Sequence, residues 1–248
     1  MKKTDGLSPN QEKIMSILEY KKMEIITRDK LLELIKRHMK IKDPSDLIEK
    51  LLKKSRLVII KRGIYMVVPL AAINKKWTLD EYQILDYLLK DKYYIGLYNA
   101  FNLHGFTEQI PNKVFVFNTE YSFDKQVLHY KFKFFKIKKE KLFGILTKYK
   151  YPYSDRERTI IDALDYPEYL GRLGQVLDII KKSRYNKTRL IDYAIKYNSV
   201  KIMKLAGWLT ESNKIFRLLK EKKALSYYTT IKKTREEVIN KKWKLRLT

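Results

Sequence analysis

Apolar positions in the first third of the chain recur with a helical period and then switch to a strand period. Ile14, Ile17 and Leu18 form a stripe running to about Tyr20. It follows Ser8 as a cap, Pro9 at the first helical position and Gln11 where a capping-box partner belongs. A second helix is predicted from Thr27, its cap, through Leu31, Leu32, Leu34 and Ile35 to about Met39. A third has Asp43 as cap, Pro44 first and Asp46 in the first turn, with Leu47, Ile48, Leu51 and Leu52 as its buried face, and ends near Ser55. The period then changes. Residues 57–60 are a β-rich run, Lys61-Arg62-Gly63 is a turn, and 64–68 is a second run closed by Pro69: a hairpin with a basic tip. Three short helices followed by a hairpin is the order of a winged helix-turn-helix, assigned to residues 1–72.

A second unit is expected from about Trp77, with Thr78 capping a helix that runs through Tyr82, Leu85, Leu88 and Leu89. Residues 94–96 lead into a short helix over 97–104. Residues 113–118, 127–137 and 146–151 alternate like strands. Helices are predicted over 154–164, 169–183 and 187–197, then over 199–208 and 211–223. The tail from 227 carries a helical middle around 235–243. The expected fold class is α+β: a winged helix-turn-helix over 1–72, a mixed α/β effector domain over 77–225 ending in a helical, bundle-like part, and a basic tail over 226–248. The sequence shows no internal repeat and no low-complexity run.

Composition changes the picture through charge. The chain has 248 residues, 45% of them hydrophobic, and a formal net charge of +26. That length suits a small domain plus a larger one, or one elongated unit, and the apolar content provides for a real core. Lysine-rich, Ile- and Tyr-rich, Gln-poor usage also marks thermophile proteins, but that bias enriches Glu alongside Lys. Here 54 Lys and Arg face 28 Asp and Glu, so the excess points to a polyanionic partner. The charge falls in blocks: +9 over 1–75, −3 over 76–124, +8 over 125–150, −3 over 151–180 and +15 over 181–248. With no cysteine there is no disulfide framework and no thiol chemistry. A polar start and the lack of a long apolar run lead to the expectation of a soluble cytoplasmic protein with no membrane association.

In a winged helix-turn-helix the third helix lies in the major groove and the wing touches backbone or minor groove. Burying the apolar face of the third helix leaves Ser45, Lys50, Lys53 and Lys54 exposed. The lysines are placed to reach phosphates or guanine edges, and Ser45 to meet a phosphate at the helix N-terminus. Lys61 and Arg62 form the wing tip, and Thr27 and Arg28 open the helix that crosses the backbone. The competing reading of the same lysines is a solvated helix face. Lys outnumbers Arg, which favours phosphate affinity over bidentate base reading.

Segment 47–69, LIEKLLKKSRLVIIKRGIYMVVP, resembles the N-terminal domain of AbiEi-type antitoxins, the transcriptional regulators of abortive-infection toxin–antitoxin operons. Its Gly63-Ile64-Tyr65…Pro69 close is similar to that family's hairpin ending. Segments 95–111, IGLYNAFNLHGFTEQIP, and 154–164, SDRERTIIDAL, are similar to two later family elements. One departure is Ser55, where the family usually has Gly, and the basic C-terminal block has no counterpart in the family pattern. The resemblance implies a repressor of its own operon that binds promoter repeats in double-stranded DNA. It also implies an antitoxin opposing a neighbouring nucleotidyltransferase-like toxin, without requiring a stable complex, and it is compatible with a homodimer.

No catalytic, cofactor or metal site is expected. His38, His104 and His129 show no metal-ligand spacing, and no phosphate loop or nucleophile elbow occurs. His104 reads as a helix C-terminal cap. The alternative is a metal-dependent nuclease built on Asp124, Glu157, Asp162 and Asp165, against which Asp155, Glu157, Arg158 and Asp162 fit a helix start and helix-face ion pairs. A solitary DNA-binding regulator without a toxin is a further alternative. Phe132, Phe134 and Phe135 interleave with Lys131, Lys133 and Lys136, and Tyr149, Tyr151 and Tyr153 with basic neighbours. This pattern fits single-strand stacking, or, as preferred here, core residues with a basic outer face.

Overall fold

A computed structural model describes residues 6–72, 79–89, 93–147, 149–231 and 237–248. The chain divides into two compact units: residues 1–91 with 126–130, and residues 92–125 with 131–248. The fold is α+β, with a helical C-terminal part. Among the described residues no helix is long and apolar enough to cross a membrane.

In the first unit the predicted helices are α1 (Pro9–Tyr20), α2 (Arg28–His38) and α3 (Pro44–Lys53), with the short strand β1 (Ile25–Thr27) before α2. Local chemistry sets their starts. Gln11 accepts from the Ser8 amide at 2.9 Å, Thr27 accepts from the Lys30 amide at 3.4 Å, and Asp43 accepts from the amides of Ser45 and Asp46. β2 (Leu57–Lys61) and β3 (Ile64–Val67) form the hairpin, and β1 joins it in the order β1-β3-β2, all antiparallel. The second turn residue, Gly63, has φ +77°, a conformation that favours glycine. Ile14, Leu18, Leu31, Ile35, Leu47, Leu51, Leu57 and Tyr65 meet in one core. The division between the units falls after α4 (Glu81–Leu89), so the helix expected to open the second unit groups with the first; Trp77 and Thr78 lie outside the described residues.

A mixed six-stranded sheet runs in the order β6-β7-β5-β4-β9-β8; it belongs to the second unit except for residues 126–130 at the β6–β7 turn, which group with the first. Its strands are β4 (Tyr93–Ile95), β5 (Val114–Asn118), β6 (Asp124–Val127), β7 (Tyr130–Lys136), β8 (Ile145–Leu146) and β9 (Tyr153–Ser154), with α5 (Leu97–Leu103) following β4. Two strand expectations are corrected. The run 127–137 is not one strand, because Leu128 takes φ 52° and turns the chain between β6 and β7. The run 146–151 is cut short after Leu146, and Tyr149 and Lys150 lie exposed in bends.

α6 (Arg156–Asp165), α7 (Leu173–Lys182), α8 (Lys187–Tyr197), α9 (Val200–Thr210) and α10 (Asn213–Glu221) build the helical part. At its centre Arg158 is wholly buried, 2.9 Å from Asp162, with the Tyr94 hydroxyl accepting from its guanidinium at 2.6 Å. Burial holds the Asp162 carboxyl above its ordinary range against the pull of Arg158. Breaking such a pair by removing one partner costs about 3–5 kcal/mol. The tail is also corrected. Residues 235 and 236 of the expected helix lie outside the described residues; over the rest, β11 (Val238–Asn240) pairs antiparallel with β12 (Leu245–Leu247), and β10 (Thr229–Ile231) pairs parallel with β12. Trp243 anchors the turn between β11 and β12: it is fully buried, lies against Gly207 and meets Phe216 edge-on at 5.5 Å.

Candidate nucleic-acid interface

Five of the expected contact residues stand at the starts of α2 and α3 and at the β2–β3 turn. Arg28 is the hub. Its guanidinium donates to the Ser45 hydroxyl at 3.0 Å, and its amide donates to the Gly63 carbonyl at 2.8 Å. The pairing of Thr27 with Ile64 brings the start of α2 beside the turn. Thr27, Arg28, Lys61 and Arg62 are exposed and Ser45 is half-buried, so these five expected residues share one surface. The Arg28–Ser45 bond joins residues 17 apart and has no local sequence signal.

Along α3, Lys50 and Lys53 continue the surface. Lys50 pairs with Asp46 at 2.6 Å, an exposed one-turn pair worth about 0.3–0.5 kcal/mol, which a phosphate can readily displace. Lys53 is exposed. Lys54 departs from the expectation of an exposed contact. It is half-buried, and its ammonium donates to the Gly6 carbonyl at 2.6 Å and to Gln11 Oε1 at 3.0 Å, so it ties the start of α1 to the end of α3. The start of α3 also differs in detail. The Ser45 and Asp46 amides are taken up by Asp43, which leaves the Ser45 hydroxyl proton, not the backbone, to donate outward. Sequence reasoning passed over Lys30, exposed near the start of α2 and paired with Glu33 at 2.8 Å; that hydrogen bond and charge hold the Glu33 carboxyl below its ordinary value.

Elsewhere the candidate chemistry is distributed. Asp124 meets Lys133 at 2.6 Å and Lys113 at 3.2 Å, Glu157 meets Arg189 at 3.4 Å, Asp162 meets Arg158, and Asp165 meets Lys201 at 2.5 Å. Each nuclease carboxylate is thus occupied by a cation of its own. His104 caps α5 and lies 2.8 Å from the Ser154 carbonyl. Burial lowers its pKa and the Arg156 charge adds to that, against the Ser154 hydrogen bond. Phe132, Phe134 and Phe135 are buried on both faces of β7, while Lys131 and Lys136 are exposed near its two ends on opposite faces, so the aromatics are core but the expected single basic outer face is not formed.

No family model matches the chain, and no curated protein matches it. Among solved structures, the chain is similar to the RV2827C protein from Mycobacterium tuberculosis, with a TM-score of 0.69 at 13% identity over 98% of this chain and 92% of that one. That likeness is one of fold.

Proposed function

We propose that the first unit is a winged helix-turn-helix that binds double-stranded DNA, and that the chain is a transcriptional repressor of its own operon. The observation that carries the reading is the hub at Arg28, which ties the start of α2 to α3 and to the hairpin turn. α3 then lies in the major groove, with Lys50 and Lys53 directed at phosphates or base edges. The turn supplies Lys61 and Arg62 to the adjacent backbone or minor groove. The resemblance of segments 47–69, 95–111 and 154–164 to AbiEi-type antitoxins extends the reading to an antitoxin that opposes a nucleotidyltransferase-like toxin.

The test is a salt series on a duplex from the protein's own promoter. If Arg28, Lys50, Lys53, Lys61 and Arg62 each neutralise one phosphate, log K falls against log salt with a slope of about −4.5. Replacing Lys61 and Arg62 by Ala lowers that slope by about 2 units in magnitude. Affinity for the promoter no greater than for random duplex at near-physiological salt overturns the repressor reading. The antitoxin reading is tested by co-expression with the product of the adjacent reading frame, where failure to restore growth rejects it.

A further inference from the structure

The second unit holds a concavity of ≈ 530 Å³ between the C-terminal end of α10 and the β11–β12 turn. Its apolar lining is Phe216 and Leu225; its rim is Lys220, Lys223, Lys242 and Lys244, with Ser226 beside them. We propose that this concavity binds a nucleoside triphosphate, with the base against Phe216 and the phosphates among the lysines. The proposal stands apart from duplex binding by the first unit.

Lysines at a helix C-terminus are ordinarily explained by the helix dipole, and that accounts for Lys220. It does not account for Lys242 and Lys244, which come from a different element and reach the same rim. Lys242 is paired with Glu211 and Lys244 lies 4.9 Å from the Tyr228 ring, whereas Lys220 and Lys223 have no carboxylate partner among the described residues. One acidic group against four ammonium groups leaves a deficit that a polyphosphate fills. A volume near 530 Å³ lies within the roughly 300–1,000 Å³ of small-molecule pockets. Contact with a duplex backbone needs neither a recess nor an apolar floor.

The rim is also fixed in place. Lys204 is wholly buried with no carboxylate, and its ammonium donates to the Tyr227 carbonyl at 2.8 Å, Thr229 Oγ1 at 2.9 Å and the Lys244 carbonyl at 3.3 Å. The Thr229 amide donates to that same Lys244 carbonyl at 2.8 Å. Lys223 and Lys244 both hold left-handed backbone, φ 54° and 49°. At Lys223 this is the usual ending of a helix, and it turns the chain out of α10 at the rim. A main chain held at Lys244 before the ligand arrives spares the entropy of ordering that part of the rim.

Calorimetric titration of the full chain with ATP, inorganic tripolyphosphate and adenosine tests the assignment. Saturable one-to-one ATP binding is expected, with adenosine far weaker. The exposed pair Lys220→Ala/Lys223→Gly, the latter suited to its positive φ, weakens ATP about tenfold, roughly the loss of one charge-assisted contact. Lys131→Ala/Lys136→Ala removes equal charge away from the concavity and leaves ATP binding within about twofold, as rim-free charges contribute little. Phe216→Leu weakens ATP but not tripolyphosphate. The proposal is overturned by absent or non-saturable ATP binding, by equal losses from the two lysine pairs, or by tripolyphosphate matching ATP. A single-stranded oligonucleotide that binds far more tightly than ATP, and is lost with the same lysine pair, overturns it in favour of a strand.

Discussion

Replacing Gly207 by Ala reverses the usual sign of that substitution. In a helix interior Ala is favoured over Gly by about 1 kcal/mol, and Gly207 lies within α9. A Cβ on Gly207, however, falls 2.2 Å from Trp243 Cζ3, 2.6 Å from Cη2 and 2.9 Å from Cε3. Carbon atoms prefer about 3.5–4.0 Å, so ring or helix must shift by more than ~1 Å. The ring has little freedom: it is fully buried and packed edge-on against Phe216. Overpacking of this kind costs about 1–3 kcal/mol. Complete expulsion of an indole that buries about 150–250 Å² sets a ceiling near 4–6 kcal/mol at ~25 cal/mol/Å². The 2.2 Å contact puts the overpacking cost at the upper end of that range, so after subtracting the helix-propensity gain Gly207→Ala is expected to lose about 2 kcal/mol, with a ceiling of about 3–5 kcal/mol, read by chemical denaturation followed by far-UV circular dichroism. Trp243→Leu vacates the space, so the double variant is expected to lose much less than the sum of the singles. A Gly207→Ala protein as stable as the parent, or strict additivity with Trp243→Leu, refutes the reasoning.

Arg28 and Lys54 are expected to separate by assay. Arg28→Ala reduces the magnitude of the salt slope for promoter duplex by about 1, whereas Lys54→Ala leaves duplex affinity intact and shows its effect in the denaturation midpoint. Ser55 holds φ 53°, and left-handed backbone costs a residue with a Cβ about 1–2 kcal/mol. Ser55→Gly is therefore expected to raise stability by about 0.5–1 kcal/mol after glycine's greater unfolded-state entropy, and a lower midpoint would contradict this. His104 has its pKa lowered below 6.5 by burial, so between its folded value and 6.5 the unfolded chain binds more protons. Its contribution is full above pH 6.5 and lost as pH falls through that window; an NMR titration placing its ring above 6.5 reverses the sign.

What the sequence made legible follows from the range of the interactions. The starts of α1, α2 and α3 were readable because the side chains of Gln11, Thr27 and Asp43 accept from amides two or three residues away. α8 was readable over its full span because its apolar stripe is regular. The β6–β7 turn was hidden because Leu128 carries no turn signal and itself starts the unbroken apolar–polar alternation of 128–134. The tail was misread because Val238 and Ile239 are followed by Trp243, whose spacing mimics a helix stripe. Its strands are fixed instead by the seat that Gly207 leaves for the indole. Lys54 shares a helix face pattern with Lys50 and Lys53, and its bonds to Gly6 and Gln11, 48 and 43 residues away, distinguish it.

The same separation of local from distant contacts bears on how the proposed DNA surface divides its work. Arg28 spends part of its guanidinium on Ser45, so it is held in one orientation and suits a fixed phosphate better than a base edge. Lys50 is tethered to Asp46 and Lys53 is a flexible point charge; both favour backbone over bidentate reading. That leaves Arg62, exposed at the turn, as the group on this surface whose fork is free to read a groove. Specificity on this account concentrates in Arg62 and in the shape of the DNA beneath it, while the remaining cations set affinity. Arg62→Lys keeps the charge and removes the fork, so it should preserve the salt slope while narrowing the preference for promoter over random duplex. A variant that retains the full preference would move base reading back onto α3.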